Sequence, residues 1–330
     1  MRRGTRCLAV AAAAALALTG CGLQRGGMSS SGVPNRTEVV VHTGPGGGSD
    51  VFARQVVKLM QQDDLIKDNW PVRNQPEGSG IGAMSYLIGR KGRVDSIAAV
   101  TPTWLVTPLT LDGASVSVDE TQPIAGVLTE PQLLAVPAKS PYHDAKDLIA
   151  AAKKQPDKLV QVGGSVTATD SLTGKALQAR TGTKWKYLTF SDSGQRIAAL
   201  LRGDAQLMIG ATNDFSEQVK AGHIRVIAVV ATQRVAAFPQ VPTLKEQGFD
   251  TSGLPEEFRG FVGPPDMPKK ALAYYQKEFG KLVKTKRWKD YARQNGDITR
   301  FLDAPQFEKL IEAQQKQLKK LVDELGLVQK

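Results

Sequence analysis

Cysteine and histidine are scarce in this chain: Cys7 and Cys21, with His42, His143 and His223, are all that 330 residues contain. Both cysteines fall within the first 21 positions, so the body beyond them has no disulfide and no thiol nucleophile and must be held by core burial. No C-x-x-C and no H-x-x-x-H occurs, which leaves zinc without a ligand set of usable spacing. A serine-hydrolase elbow is missing too, because Gly47-Gly48-Ser49-Asp50-Val51 and Gly163-Gly164-Ser165-Val166-Thr167 both lack the closing glycine of G-x-S-x-G. Aromatic residues make up only 6% and form no stacking platform beside the lysines, so a nucleic-acid partner is not expected. The one conspicuous apolar run, 7–18, is too short to span a bilayer permanently.

What the chain does have is length enough for two lobes, each with its own core. Its 41% hydrophobic and 23% charged residues are ordinary soluble globular usage. The formal charge of +11 points toward anions. Part of that charge belongs to the leading segment: Arg2, Arg3 and Arg6 precede the apolar run, which ends in Leu18-Thr19-Gly20-Cys21. A basic start, a short apolar stretch and small residues before a cysteine form a secretory signal with a lipobox. It resembles bacterial lipoprotein signals, which are cut before the cysteine whose thiol then carries diacylglycerol. Residues 1–20 are therefore the expected signal peptide, Cys21 the lipidation site, and 21–35 a flexible tether. Cleavage removes three arginines and lowers the formal charge from +11 to +8.

Beyond residue 38 strands and helices alternate. Strands are expected at 39–41, 97–100, 124–128, 133–136, 160–162, 206–209 and 224–231, and helices after 51 and over 145–154, 171–181 and 195–202. This alternation predicts an α/β class with mainly parallel sheets. From Pro268 the tail reads as almost entirely helical, with Phe307, Leu310, Ile311, Leu318, Leu321, Val322 and Leu325 forming one apolar face. Its lysine-rich opposite face is a solvated surface.

Three loops carry the chemistry. Gly44-Pro45-Gly46-Gly47-Gly48-Ser49 joins a strand to a helix, as a dinucleotide fingerprint would, but Ser49 replaces its third glycine. What the segment offers physically is a run of N–H groups at a helix start, with glycines that let an anion approach. Ser49 and Asp50 serve equally well as helix caps or as ligand contacts. The stretches 163–170 and 190–194 repeat this Gly/Ser/Thr character before helices. Each alone is an ordinary turn; three together in an exported chain suggest one anion held by amides and hydroxyls, without a buried Lys or Arg. His42, beside the first loop, reads as a strand-end residue or a ligand contact.

Four segments resemble the substrate-binding proteins of tripartite tricarboxylate transporters, the Bug or TctC family. Pro45-Gly46-Gly47-Gly48-Ser49-Asp50 with Ala53-Arg54 is similar to P-G-G-x-[ST]-D-x-x-A-R, and Asn74 to Gly80 to N-x-P-G-x-x-G, with Glu77 where glycine is usual. Residues 234–248 resemble R-x4-P-x-V-P-T-L-x-E-x-G throughout, and 260–268 resemble the G-x-x-x-P-x-x-x-P that follows. Departures are His42-Thr43-Gly44 in place of Pro-Phe-Pro, Phe258 where tryptophan is common, and Val166 and Ala168 where glycine is frequent.

The resemblance implies a type II periplasmic-binding-protein fold: two α/β lobes around a central cleft, joined by crossing hinge strands, with 36–135 plus 232–330 as one lobe and 136–231 as the other. In the family two turns pinch one carboxylate through amides, hydroxyls and water. Carried onto this chain, the first turn supplies Thr43, Gly44, Gly46, Gly47, Gly48, Ser49 and Asp50. The second supplies Gly164, Ser165, Thr167, Thr169 and Asp170, with Gly80, Thr101, Ser191 and Ser193 on neighbouring loops. The implied protein is not an enzyme. It is a monomeric, lipid-anchored receptor on the outer face of the cytoplasmic membrane, without cofactor, metal or nucleic acid. It captures a di- or tricarboxylate and delivers it to integral-membrane permease subunits. The rival readings are a ligand sensor of the same fold without a transport partner and, with less support, a secreted α/β hydrolase. Mass spectrometry of the protein recovered from membranes should find a lipidated Cys21 at the N-terminus; an unmodified N-terminus elsewhere refutes the anchor.

Overall fold

The computed structural model describes residues 34, 36–111 and 113–327; the signal segment, Cys21 and the tether as far as 33 lie outside these. The β-branched run at the start of the body forms β1 (Glu38–Val41), and the glycine loop leads into α1 (Gly48–Gln62), whose inner face is Phe52, Ala53, Val56, Val57 and Met60. There follow β2 (Val72–Asn74), α2 (Ile81–Ile88), the fully buried β3 (Ser96–Val100), α3 (Thr103–Thr110) and β4 (Gln122–Glu130). Next come β5 (Gln132–Pro137), α4 (Ala145–Lys154), β6 (Val160–Gly163), α5 (Thr169–Thr181), β7 (Lys186–Thr189), α6 (Ser193–Arg202), β8 (Leu207–Ala211), α7 (Thr212–Lys220) and β9 (Ile224–Val229). The chain closes with β10 (Glu257–Gly263), α8 (Lys269–Leu282), α9 (Lys286–Asn295), β11 (Ile298–Leu302) and α10 (Ala304–Glu324).

The strands form two sheets, ordered β11-β4-β10-β3-β1-β2 and β7-β6-β8-β5-β9. Both are mixed, with four parallel and five antiparallel pairings, where the alternation of elements predicted mainly parallel sheets. The reason is the crossing. Every antiparallel pairing involves β4, β5 or β10, the strands next to the chain's two passages between the sheets. The first crossing lies at Pro131, ahead of the expected 135/136 boundary, because Gln132 to Ala135 already pair with β8.

Four strands were not legible in the sequence: β2, β7, β10 and β11. Three residues suffice for β2 and four for β7, too few to show a period. In β10 two glycines and two charges interrupt the apolar pattern, although Gly260 exists to let Phe307 of α10 lie on the sheet. β11 breaks the tail that reads as helical. α10 itself is set by a capping box between Asp303 and Gln306 and buries Phe307, Ile311, Leu318, Leu321 and Val322 as its apolar face requires. Phe258 meets Phe307 edge-on, with ring centroids 5.6 Å apart.

The long motif at 234–248 is structural. Thr243 and Glu246 cap one another, through Thr243 N to Glu246 Oε2 at 2.6 Å and Glu246 N to Thr243 Oγ1 at 3.0 Å. Arg234 reaches the same carboxylate at 3.0 Å, and Gly248 takes a φ of +92° that a side chain would resist. Truncating Phe307 to alanine should lower stability in urea unfolding by about 3–5 kcal/mol, since two glycines leave the sheet no side chain of its own to fill the gap.

Candidate functional site

The helices that begin at strand ends bring their first turns to one cleft of about 1020 Å³ between the two sheets. A helix start leaves N–H groups without carbonyl partners. In α1 the Val51 N–H bonds to Gly47 O and the Asp50 N–H to Thr43 Oγ1 at 3.1 Å, while those of Gly48 and Ser49 find no acceptor among the described residues. The same holds for Thr169 and Asp170 at the start of α5, and for Ser193 and Gly194 at the start of α6, where Asp192 caps Gln195. All six residues line the cleft.

Two buried aspartates hold the turns in shape. Asp50 Oδ2 accepts the Gly46 N–H at 3.1 Å, and its Oδ1 accepts Arg54 and Asn74 at 2.9 Å each. Burial pushes the Asp50 carboxyl up, but Arg54, Asn74 and the Gly46 amide together hold it below the ordinary value. Asp170 does the same for the second turn, with Oδ2 accepting from Gly164 N at 2.8 Å and from Tyr187 at 2.9 Å. Here burial prevails over the opposing Arg196, and the carboxyl is raised. Asp50 thus fastens its turn with both oxygens engaged, and Asp170 fastens its own through Oδ2.

Of the other residues anticipated at the site, Thr43, Gly44, Gly46, Gly48, Ser49, Thr101, Gly164, Ser165, Ser191 and Ser193 stand on the cleft wall. Gly47, Gly80 and Thr167 do not. Gly47 closes the turn onto Gly44 O, Gly80 lies under Trp104 at a φ of +114°, and Thr167 bonds Thr107 of the other lobe at 3.0 Å. His42 is buried edge-on to Trp104 with Nδ1 3.5 Å from Ser49 Oγ. Burial first and the Arg259 charge second bring its pKa down to about 3, so the ring is neutral.

The largest correction concerns charge. Cation-free recognition was expected, yet Arg259 of β10 is 9% exposed and lines the cleft. Its Nε donates to Glu130 Oε1 at 2.6 Å, its Nη1 lies 3.5 Å from Ser49 Oγ, and its guanidinium sits over Phe52. On the same strand face Glu257 accepts a hydrogen bond from Thr169 Oγ1, joining β10 to the opposite lobe. Burial, with Glu130 and Asp170 nearby and Arg259 opposing, lifts Glu257 from an ordinary 4.5 to about 7. Arg196 of α6 also stands at the wall. The signal for Glu257 and Arg259 was their spacing of two, which places them on one face of a strand, but only once 257–263 is seen to be a strand.

Among the described residues no group of three or more His, Cys, Asp or Glu could hold a metal ion, and no helix is long and apolar enough to cross a membrane.

Comparison with known proteins places this cleft in context. The sequence profile described as "Tripartite tricarboxylate transporter family receptor" matches residues 66–327. A UPF0065 protein of Bordetella bronchiseptica is 26% identical over 212 residues, 63% of this chain and 62% of that protein, so the match spans less than two thirds of the relative. Among solved structures, the periplasmic binding protein BugD superposes with a TM-score of 0.82 at 20% identity, covering 90% of this chain and all of that one. An R. palustris protein solved with adipate gives 0.81 at 19% identity, covering 88% of this chain and 97% of its own. These likenesses establish the fold as that of periplasmic binding proteins.

A carboxyl raised in the folded state binds a proton there that the unfolded chain has already lost, so stability falls as pH rises from about 4.5 to about 7. Glu257→Gln should therefore melt above the wild type at pH 8, by a few degrees given that the group is partly open to solvent, and the difference should shrink toward pH 5. Parallel thermal melts across pH 5–8 check this.

Proposed function

The chain belongs to the tripartite tricarboxylate transporter receptor family, whose members are solute-binding receptors and not enzymes, and from this we propose that it captures a small di- or tricarboxylate between its lobes. The observation that carries the reading is the convergence of unpaired amides from both lobes on one cleft. Such groups suit an anion with several oxygens and disfavour a neutral sugar. The adipate in a structural neighbour supports the same ligand class.

Binding would be coupled to closure. The lobes already touch through Thr107 with Thr167 and through Thr169 with Glu257. A ligand bridging α1 on one side and α5 and α6 on the other adds contacts available only when the lobes meet, and so shifts the population toward the closed form. We further propose that the chain is exported, anchored through Cys21 and monomeric, and that the closed form docks on the integral-membrane subunits of a tripartite permease. The basic surface does not select the ligand, because salt screens it over about 8 Å at physiological ionic strength.

A thermal-shift panel tests the ligand class: at least one di- or tricarboxylate should raise the melting temperature, since a ligand that binds only the native state stabilises it by about 2.7 kcal/mol at a hundred times its Kd. A response confined to sugars or neutral compounds overturns the assignment. Gly44 lines the cleft, and nothing lies within 4 Å of where its Cβ would stand. Gly44→Val should therefore fold normally and lose the carboxylate response; retained binding removes the first turn from the site.

A further inference from the structure

Each glycine turn of the cleft has an arginine laid against it, one from each side. Nη2 of Arg259 lies 3.2 Å from where a Cβ on Gly48 would stand, and Nη1 of Arg196 lies 4.0 Å from the corresponding point on Gly164. Arg259 is nine-tenths buried at the N-terminus of α1, the positive end of a helix dipole, where a lone cation is disfavoured. Glu130 engages only its Nε edge; among the described residues Nη2 has no partner and Nη1 has only the long contact to Ser49. The Nη1–Nη2 fork, beside the unpaired Gly48 and Ser49 amides, is the geometry that receives a carboxylate bidentately. On the other wall, Arg196 donates Nη2 to Ser193 Oγ at 2.6 Å, and its buried Nε finds no partner among the described residues.

We infer that Arg259 selects the ligand's charge: it grips one carboxylate on the start of α1, while Arg196 and the starts of α5 and α6 take a second on the opposite wall, so the ligand is a dianion spanning the cleft. This rests on the carboxylate reading above and assigns a role to two residues outside the glycine turns. Glu130 is a positioning residue that holds the Arg259 fork toward the cleft.

The test compares succinate, malate and adipate with their monoamides by calorimetric titration. The wild type should prefer at least one dicarboxylate over its monoamide by tenfold or more, since a hydrogen bond to a charged group is worth about ten- to hundredfold in affinity. In Arg259→Gln that preference should collapse toward unity, because the monoamide can turn its single carboxylate to Arg196. Removing Arg259 alone leaves Glu130 buried without a partner, so Arg259→Gln/Glu130→Gln provides the same test in a neutral background, with a thermal melt to confirm folding. Arg259→Lys should fall between, keeping the charge and losing the fork. A merely structural Arg259 would weaken both ligands equally and leave the ratio unchanged, which overturns its role. A wild type that binds a dicarboxylate and its monoamide alike overturns the spanning dianion, and a wild type that binds no carboxylate overturns the reading on which both rest.

Discussion

A helix that begins at the edge of a cavity presents N–H groups without an intrahelical carbonyl, and the described residues set three such beginnings around one cleft. The rest of the architecture serves that arrangement. The parallel pairs of each sheet deliver strand ends and helix starts to the same side, and the antiparallel crossing strands hold the two sets face to face. Asp50 and Asp170 then fold each turn back on itself, so that the amides left unpaired are the ones that point to the cavity. The hydrogen-bonding pattern left open is the kind that an anion would complete.

Strand β10 adds a different kind of group. Buried charge is costly unless paired, and Arg259 meets that cost by partial pairing with Glu130, while Glu257 meets it by accepting Thr169 from the other lobe and by retaining its proton to higher pH. Both lie on β10, a strand inside the first sheet, and Glu257 ties that strand to Thr169 of the other lobe. The neutral His42, pressed between Trp104 and Ser49, completes this wall without adding charge.

The fold was readable in part, and the pattern of what was missed has a physical cause. Helix α4 was expected over the same residues that form it, and strands β3, β4, β5, β6 and β9 were expected within a few positions, because buried apolar runs bounded by turn residues carry their own signal. β10 was missed because its Gly260 makes room for the ring of Phe307, 47 residues away in the chain, and no local pattern encodes that contact.

By itself the sequence determined the α/β alternation, the three Gly/Ser/Thr loops and the motifs that resemble one receptor family, since turns, caps and periodicities depend on neighbours a few residues apart. Only the tertiary structure decided which loop residues reach the cleft, that both aspartates are engaged within their own turns, and that an arginine from a strand missed in the sequence stands beside the first turn. The last of these depends on contacts between residues about 130 to 210 apart, Glu130 and Ser49 with Arg259, which the order of residues along the chain does not display.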